Sequence, residues 1–317
     1  MRNILRNKKK SMTFGSYAFL WRVAVDGCIV LDASTHKTVV DVENIKEVSG
    51  IDGSAPWLVS LGNMARQYAP LSKPTLHREF ASLYNNESIV KFANRYGLLG
   101  QYAIPLMPIG GGTMEFGESI ERWKYESREM GILLYIWDLF KGQYTGKLSQ
   151  LIKWTSGVII EYKYEYDDKL KEWQALPAPS NDIISGVAFT SIAGPHQHNE
   201  LLERWKWGEV MEPARYYVCR EINKHLEGHV TPQIFPFLNS RIYLHPDSLL
   251  AAMWVMFSLE ILGDTKPRRC DICGKWQVQN LERSSFYCSS ACRQEAYRRR
   301  RRSETQDVSE NHPISAL

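Results

Sequence analysis

The sequence predicts an α+β protein in which a larger, helix-rich N-terminal domain precedes a small module built on cysteines. Strand-like alternation and helix-like periodicity are mixed over the first 263 residues. Four of the six cysteines then fall between positions 270 and 292, and five consecutive arginines follow at 298–302. We therefore expect an α+β domain at residues 1–263, a compact basic module at 264–302 and an acidic, disordered tail at 303–317.

Composition indicates a folded protein with an anionic partner. The hydrophobic fraction of 44% over 317 residues is enough for a sizeable core and argues against wholesale disorder. The net charge is only +4, but residues 266–302 contain eleven Lys/Arg against three acids. Positive charge concentrated in one segment favours binding to an anionic surface such as nucleic acid.

The sequence also indicates a cytoplasmic protein with no membrane partner. The most apolar stretch, residues 248–262, includes Glu260 and is shorter than the roughly 20 residues that span a bilayer. Cys28 and Cys219 are isolated in the sequence, which is typical of a reducing compartment rather than a disulfide framework. No secretory signal is expected, because Arg22 interrupts the first apolar run.

Two segments are predicted to form strands. The runs YAFLWRVAV and CIVLD are separated by Asp26-Gly27, a pair that favours a tight hairpin turn. Between positions 158 and 176, tyrosines alternate with charged residues and Asp167-Asp168 marks a second turn.

Four segments are predicted to form helices. One follows Asn86 as N-cap and ends at Gly97; the others cover about 118–141, 209–227 and 247–262. The glycine triplet at 110–112 lacks the Gly-Lys-Ser/Thr of a phosphate-binding loop, so we expect a flexible loop there.

The cysteine spacing predicts a structural zinc site. The four cysteines form two pairs, Cys270 with Cys273 and Cys288 with Cys292. Two residues lie within the first pair, three within the second, and fourteen between the pairs. Four thiolates form a closed tetrahedral zinc site with no open position for catalysis. Gly274 suits a tight turn after the first pair, while the second pair has the spacing of one helix face, with Ser289 or Ser290 as cap. A metal-binding turn, a hairpin and a ligand-bearing helix make up a treble clef.

The stretches YCSSAC and RQEAYRRRRR resemble bacterial zinc fingers of the CGNR type, which lie at the C-terminus of transcriptional regulators behind an α-rich domain. The resemblance covers about residues 246–302 and implies a DNA-binding regulator. The signature Cys-Gly-Asn-Arg is absent, because the corresponding residues here are Cys292, Arg293, Gln294 and Glu295.

The basic residues of the module are the predicted nucleic-acid contacts. Consecutive arginines point all round a helix, which suits contact with the phosphates of double-stranded DNA better than reading of bases. The predicted set is Lys266, Arg268, Arg269, Lys275, Arg283, Arg293, Arg298, Arg299, Arg300, Arg301 and Arg302. Trp276, Phe286 and Tyr287 are expected to fill the small core of the module rather than to stack on bases.

Other functions remain open at this level. A treble clef can also bind an acidic protein surface, and the N-terminal domain can take a small ligand or a protein partner. Enzymatic activity is not expected, because the sequence lacks any recognisable catalytic motif. A nuclease of the HNH type would need a catalytic histidine near the second cysteine pair, where none occurs, and His196 and His198 fit a plain surface loop.

Overall fold

The computed structural model describes residues 19–31, 36–38, 56–108, 115–178, 187–196, 198–234, 242–263, 267–278 and 287–310. This described part is a mixed α+β structure with eight helices and several small sheets, which confirms the predicted class. The chain divides into two compact units, Met1–Ser258 (unit 1) and Leu259–Leu317 (unit 2). None of the described helices is long and apolar enough to cross a membrane.

The elements are as follows in chain order. The strands are β1 Trp21–Ala24, β2 Cys28–Leu31, β3 His36–Thr38, β4 Trp57–Ser60, β5 Ala65–Tyr68, β6 Ile104–Pro108, β7 Glu115–Ser119, β8 Ile152–Trp154, β9 Val158–Asp167, β10 Glu172–Leu176, β11 Val187–Ala193, β12 Val230–Ile234, β13 Ile242–Pro246, β14 Pro267–Arg269 and β15 Trp276–Val278. The helices are α1 Leu76–Phe80, α2 Asn86–Tyr96, α3 Ile120–Lys141, α4 Thr145–Leu151, α5 Asn199–Arg204, α6 Met211–Leu226, α7 Leu249–Ile261 and α8 Ser290–Glu310.

The first strands do not form the hairpin predicted at Asp26-Gly27. Strand β1 pairs antiparallel with β5, and β2 pairs antiparallel with β4. Residues 21–31 therefore run along residues 57–68 as one ribbon, and Asp26-Gly27 is a bend within it rather than its turn. The bend is held by Val25 N–H donating to Met64 O (2.9 Å) and Leu61 N–H donating to Gly27 O (2.9 Å). A glycine suits the bend because φ is +82° at Gly27.

Strands β2 and β4 continue into a five-stranded sheet of order β2-β4-β7-β6-β3, in which all neighbours are antiparallel. Apolar side chains on its buried face form a core cluster of Trp57, Val59, Ile104 and Leu106, against which Leu31 packs. Alternation along the strands brings these residues to one face, so their burial fixes the register of the sheet.

The second sheet contains the hairpin that the tyrosine alternation predicted. Strands β9 and β10 pair antiparallel, and β11 lies along the other edge of β9. The turn between β9 and β10 is stabilised by Asp167 Oδ1, which accepts the backbone N–H of Lys169 (2.8 Å) and of Leu170 (2.9 Å). A short side chain that accepts from the next residues is what favours aspartate at turns.

Helix α3 is the central element of unit 1 and confirms the helix predicted at 118–141. It packs against α6, the second sheet and α1, and Trp123 and Met130 on it are fully buried. At Gly131 an added Cβ would lie 2.7 Å from Trp173 Cδ1 and 2.9 Å from Ala81 O. Only glycine therefore allows this close approach of the helix to its neighbours.

The other predicted helices of unit 1 are present, with one difference at a cap. Helix α2 has Asn85, not Asn86, as its N-cap: Asn85 Oδ1 accepts Ser88 N–H (2.8 Å), and Ser88 Oγ accepts Asn85 N–H (3.2 Å). This reciprocal pair of hydrogen bonds is a capping box, and it makes Asn85 a more stabilising N-cap than Asn86. The predicted end at Gly97 is confirmed, with φ at +90°.

Glu118 is a buried carboxylate that joins separate elements of unit 1. Its Oε2 accepts the backbone N–H of Leu99 (2.9 Å) and Trp123 Nε1–H (2.7 Å), and its Oε1 accepts Gly100 N–H. Burial raises the pKa of Glu118 to about 7, although these hydrogen bonds act to lower it. The group links β7, α3 and the segment after α2, so its role here is structural.

Three further carboxylates lie between α3 and α6. Glu126 is fully buried and pairs through Oε1 with Arg122 Nη2 at 2.7 Å. Glu221 pairs with Arg220 at 2.8 Å and with Lys224 at 2.9 Å. The pKa of Glu129 is raised to about 7. Burial is the largest cause, and the negative charges of Glu126 and Glu221 add to it.

Candidate metal centre and nucleic-acid interface

The first cysteine pair lies in the turn of a short hairpin. Strands β14 and β15 are antiparallel, with Pro267 opposite Val278 and Arg269 opposite Trp276. The turn between the two strands contains both cysteines. Cys270 N–H donates to Lys275 O and Gly274 N–H donates to Cys270 O, both at 2.9 Å. At Gly274 φ is +69°, a conformation that glycine adopts without strain. Backbone hydrogen bonds between residues of the turn thus define its conformation.

The second pair lies at the start of α8. Ser289 Oγ accepts the backbone N–H of Cys292 (3.2 Å), so Ser289 is the cap that the sequence predicted as one of two choices. Cys292 is in the first turn of the helix, whereas Cys288 directly precedes the cap. The expectation that both cysteines lie within the first turn is therefore met by Cys292 alone.

The four sulfur atoms form one cluster with metal-site dimensions. All four lie within 4.8 Å of one another. The Cys288 Sγ atom is 3.3 Å from Cys273 Sγ and 3.5 Å from Cys292 Sγ. A disulfide needs about 2.0 Å, so these are free thiols. Thiolates held about 2.3 Å from a tetrahedral ion would lie about 3.8 Å apart, which falls within the observed range.

The pKa values of Cys270 and Cys288 are shifted in opposite directions. Burial acts to raise the pKa of Cys270, but backbone hydrogen bonds from Cys288, Cys273 and Ile272 outweigh it and lower this pKa to about 6. For Cys288, the Cys273 thiol, burial and the Cys292 thiol raise the pKa to about 12. Neighbouring sulfurs that share protons resist full ionisation, and a bound cation would replace those protons.

The basic side chains nearest the cysteines are already in local contacts. Arg268 Nη2 lies 3.3 Å from both carboxylate oxygens of Asp271, and the Arg269 guanidinium lies over the Trp276 ring at 4.8 Å. Lys275 and Arg293 are exposed. Lys266 and Arg283, also predicted contacts, lie outside the described residues, as does Phe286.

The arginine run lies entirely on α8. All five side chains, Arg298 to Arg302, are exposed. Ala296 is 5% exposed and lies one turn after Cys292, so these two residues mark the inward face of the helix. At about 100° per residue, Arg298 and Arg301 point away from that face, whereas Arg299 and Arg300 lie on its two flanks. The five arginines are therefore not equivalent in direction.

Glu295 adds a second difference among the arginines. Its carboxylate lies 3.2 Å from Arg299 Nε and 3.9 Å from Arg298 Nη1. The shorter contact is one helical turn apart and holds Arg299 along the helix. Such exposed pairs contribute little free energy, but they set the resting direction of a side chain.

In the part of the chain that the structure describes, the other candidate residues do not form a second metal site. Within the described ranges, the four cysteines are the grouping of metal-ligating side chains that meets the distance requirement. His196 is exposed, and the His198 ring contacts Tyr216 at 6.2 Å, in keeping with a surface loop. Tyr297, which is 54% exposed beside Arg301, was missed by the sequence reasoning, because an aromatic in a small module is expected to be buried.

No protein-family model matches the chain, and neither does any curated protein or solved structure. The resemblance to CGNR-type fingers stays a prediction.

Proposed function

We propose that unit 2 is a treble-clef zinc finger and that the protein binds nucleic acid through α8, with duplex DNA as the expected form. A donor set of four cysteine sulfurs favours zinc in a structural role. The order of a cysteine-bearing hairpin turn followed by a cysteine-bearing helix start supports the treble-clef assignment. The metal would act by fixing the module, not by chemistry on a substrate.

The observation that carries the proposal is that Cys292 and the arginine run share one helix. A metal bound at Cys292 would fix the direction of α8, and with it the direction of each arginine. Arginine forms bidentate hydrogen bonds to phosphate, and neutralised phosphates release condensed counterions. An anionic partner would offset the mutual repulsion of charges of one sign held on a rigid helix.

The same geometry favours contact with phosphates over reading of bases. Consecutive arginines sweep more than a full turn, so they cannot all enter one groove. Arg298 and Arg301, which point away from the cysteines, are the pair best placed for phosphates of one backbone. We assign to the protein the role of a DNA-binding regulator, in which unit 1 takes a ligand or a protein partner.

The test compares two double variants of equal charge. Arg298→Gln/Arg301→Gln removes the outward pair, and the matched control Arg299→Gln/Arg300→Gln removes two charges from the flanks. Duplex affinity is measured by fluorescence anisotropy over a salt series. The outward variant should lower affinity on the order of tenfold and flatten the salt slope by about two units, because two phosphate contacts are lost.

The control should change the slope by less than about one unit. The loss should also be similar for unrelated duplex sequences, because phosphate contacts carry no sequence information. Equal effects of the two variants would contradict an oriented helix. Absence of salt-dependent duplex binding by the wild-type protein would overturn the proposal.

A further inference from the structure

Tyr297 is an exposed aromatic residue within the basic part of α8. Its side chain is 54% exposed, and the Arg301 guanidinium carbon lies 5.5 Å from the centre of its ring. The preceding residue, Ala296, is 5% exposed, so the apolar face of the helix is at that position and not at Tyr297. At about 100° per residue, Tyr297 belongs instead to the outward side with Arg298 and Arg301.

Because the Tyr297 ring is half exposed, it contributes little to the stability of the fold. Burying a large side chain stabilises a protein by roughly 1.5–3 kcal/mol, and a half-exposed ring gains only part of that. Trp276, the other aromatic of the module with a described cation contact, is half-buried under Arg269 and fits a structural role. Tyr297 therefore combines an accessible π-face with nearby positive charge.

We propose that Tyr297 stacks on an unpaired base, so that unit 2 binds single-stranded nucleic acid more tightly than the phosphate contacts alone would allow. The inference rests on the proposed function, since the arginines on the same side would hold the backbone. Stacking on an aromatic ring is available to every base and needs no hydrogen-bond match. The Arg301 guanidinium, which lies over the ring, would keep a phosphate-binding charge beside the stacked base.

The form of the nucleic acid follows from what a ring on a helix surface can reach. In a duplex each base is stacked on its neighbours, and only edges are presented in the grooves. An unpaired nucleotide can turn its face outward onto a side chain. Phosphate contacts by Arg298 and Arg301 occur in both forms, but stacking by Tyr297 occurs only in the single-stranded form.

The experiment uses the full-length, zinc-loaded protein and two probes. One is a DNA single strand of about 15 nucleotides without self-complementarity, and the other is its duplex. Tyr297→Ala should lower single-strand affinity by about 5- to 150-fold and duplex affinity by less than about twofold. Tyr297→Phe keeps the ring and should leave both affinities within about twofold.

Zinc content of each variant is measured in parallel, to show that the module is intact. Equal losses on both probes, or unchanged single-strand binding in Tyr297→Ala, would overturn the stacking role. Arg298→Gln/Arg301→Gln separates the two claims, because it should weaken both probes alike. If that variant binds normally while Tyr297→Ala loses only the single strand, the phosphate proposal fails and the stacking role stands. If wild type binds neither probe, both fail.

Discussion

Glu129 shows how far the chemistry of one residue depends on neighbours that are distant in the sequence. It lies on α3, and its pKa is raised to about 7 first by burial, then by Glu126 on the same helix and Glu221 on α6. The charges of Arg128 and Lys224 act in the opposite direction without cancelling the effect. A carboxylate near two others is favoured in its protonated form, so ionisation opposes folding.

Ionisation of Glu129 makes the folded state less favourable as the pH rises. An unfolded glutamate loses its proton near pH 4.5, and folded Glu129 does so near 7. Folding is therefore opposed increasingly between these values and fully above them. Glu129→Gln should raise the free energy of unfolding by about 1–3 kcal/mol at neutral-to-alkaline pH and by much less near the acidic end.

Urea unfolding followed by tryptophan fluorescence over a pH series measures this difference. Glu121→Gln is the matched control, because Glu121 is an exposed carboxylate of the same helix, paired with Lys124 at 2.9 Å. The control should show only a small difference in stability between variant and wild type. A Glu129→Gln protein that is no more stable than wild type above pH 7 would contradict the account.

Residues differ in how well their roles can be predicted from sequence. The cysteine cluster could be predicted because all four ligands lie within 23 positions and their spacings match two local turns. The buried carboxylates could not, because Glu118 accepts from Leu99 and Glu126 from Tyr102, and the fold alone brings these groups together. A sequence shows which residues can ionise, but burial decides what ionisation costs.

At the scale of elements, structure that is set by local sequence was predicted correctly, whereas long-range strand pairing was not. The helix at 120–141 and the hairpin of β9 and β10 were predicted, because periodicity and a turn residue lie within each element. The bend at Asp26-Gly27 was predicted wrongly as a hairpin turn, since its strands pair with β5 and β4, whose residues are 26 to 47 positions further along the chain. Asp-Gly favours a turn locally, but pairing partners are chosen by the whole sheet.

The cap of α8 is the element where structure and metal binding meet. Ser289 Oγ accepts the N–H of Cys292 at 3.2 Å and so stabilises the first turn, which carries the last ligand. Replacing a serine cap with alanine costs about 1 kcal/mol of helix stability. Because zinc binding and local folding share one free energy, Ser289→Ala should weaken zinc affinity by about fivefold.

A competition titration with a chromophoric chelator measures that affinity. Ser290→Ala is the matched control, since Ser290 is the first residue of α8 and alanine is a good helix former. Its zinc affinity should equal or slightly exceed that of the wild type. Equal affinities for Ser289→Ala and wild type would show that the cap does not contribute to the site.

At the scale of the whole molecule, the chain divides into two compact units that differ in apolar burial among their described residues. Unit 1 has a core of apolar side chains from its sheets and helices, including fully buried Trp123 and Trp254. Among the described residues of unit 2 after α7, Cys270 and Ala296 are the buried side chains. The zinc proposed for this module would supply folding free energy beyond the small apolar burial of these described residues.

Cys288→Ser tests this division. The variant should lose zinc, and residues 268–302 should become sensitive to a protease of broad specificity while unit 1 resists. Limited proteolysis with mass spectrometry identifies the cut sites, and Cys219→Ser is the control that leaves the cluster intact. Cleavage spread over unit 1, or zinc retained by the variant, would contradict a separate zinc-stabilised module.

The most direct measurement is the duplex affinity of the two arginine double variants, each with zinc bound and after zinc is removed by chelation. With zinc, Arg298→Gln/Arg301→Gln should bind on the order of tenfold more weakly than Arg299→Gln/Arg300→Gln, because the metal holds α8 with one side outward. Without zinc the two should bind alike, since an unfolded segment has no sides. An equal affinity with zinc bound, or the same difference after its removal, would contradict a zinc-oriented basic helix.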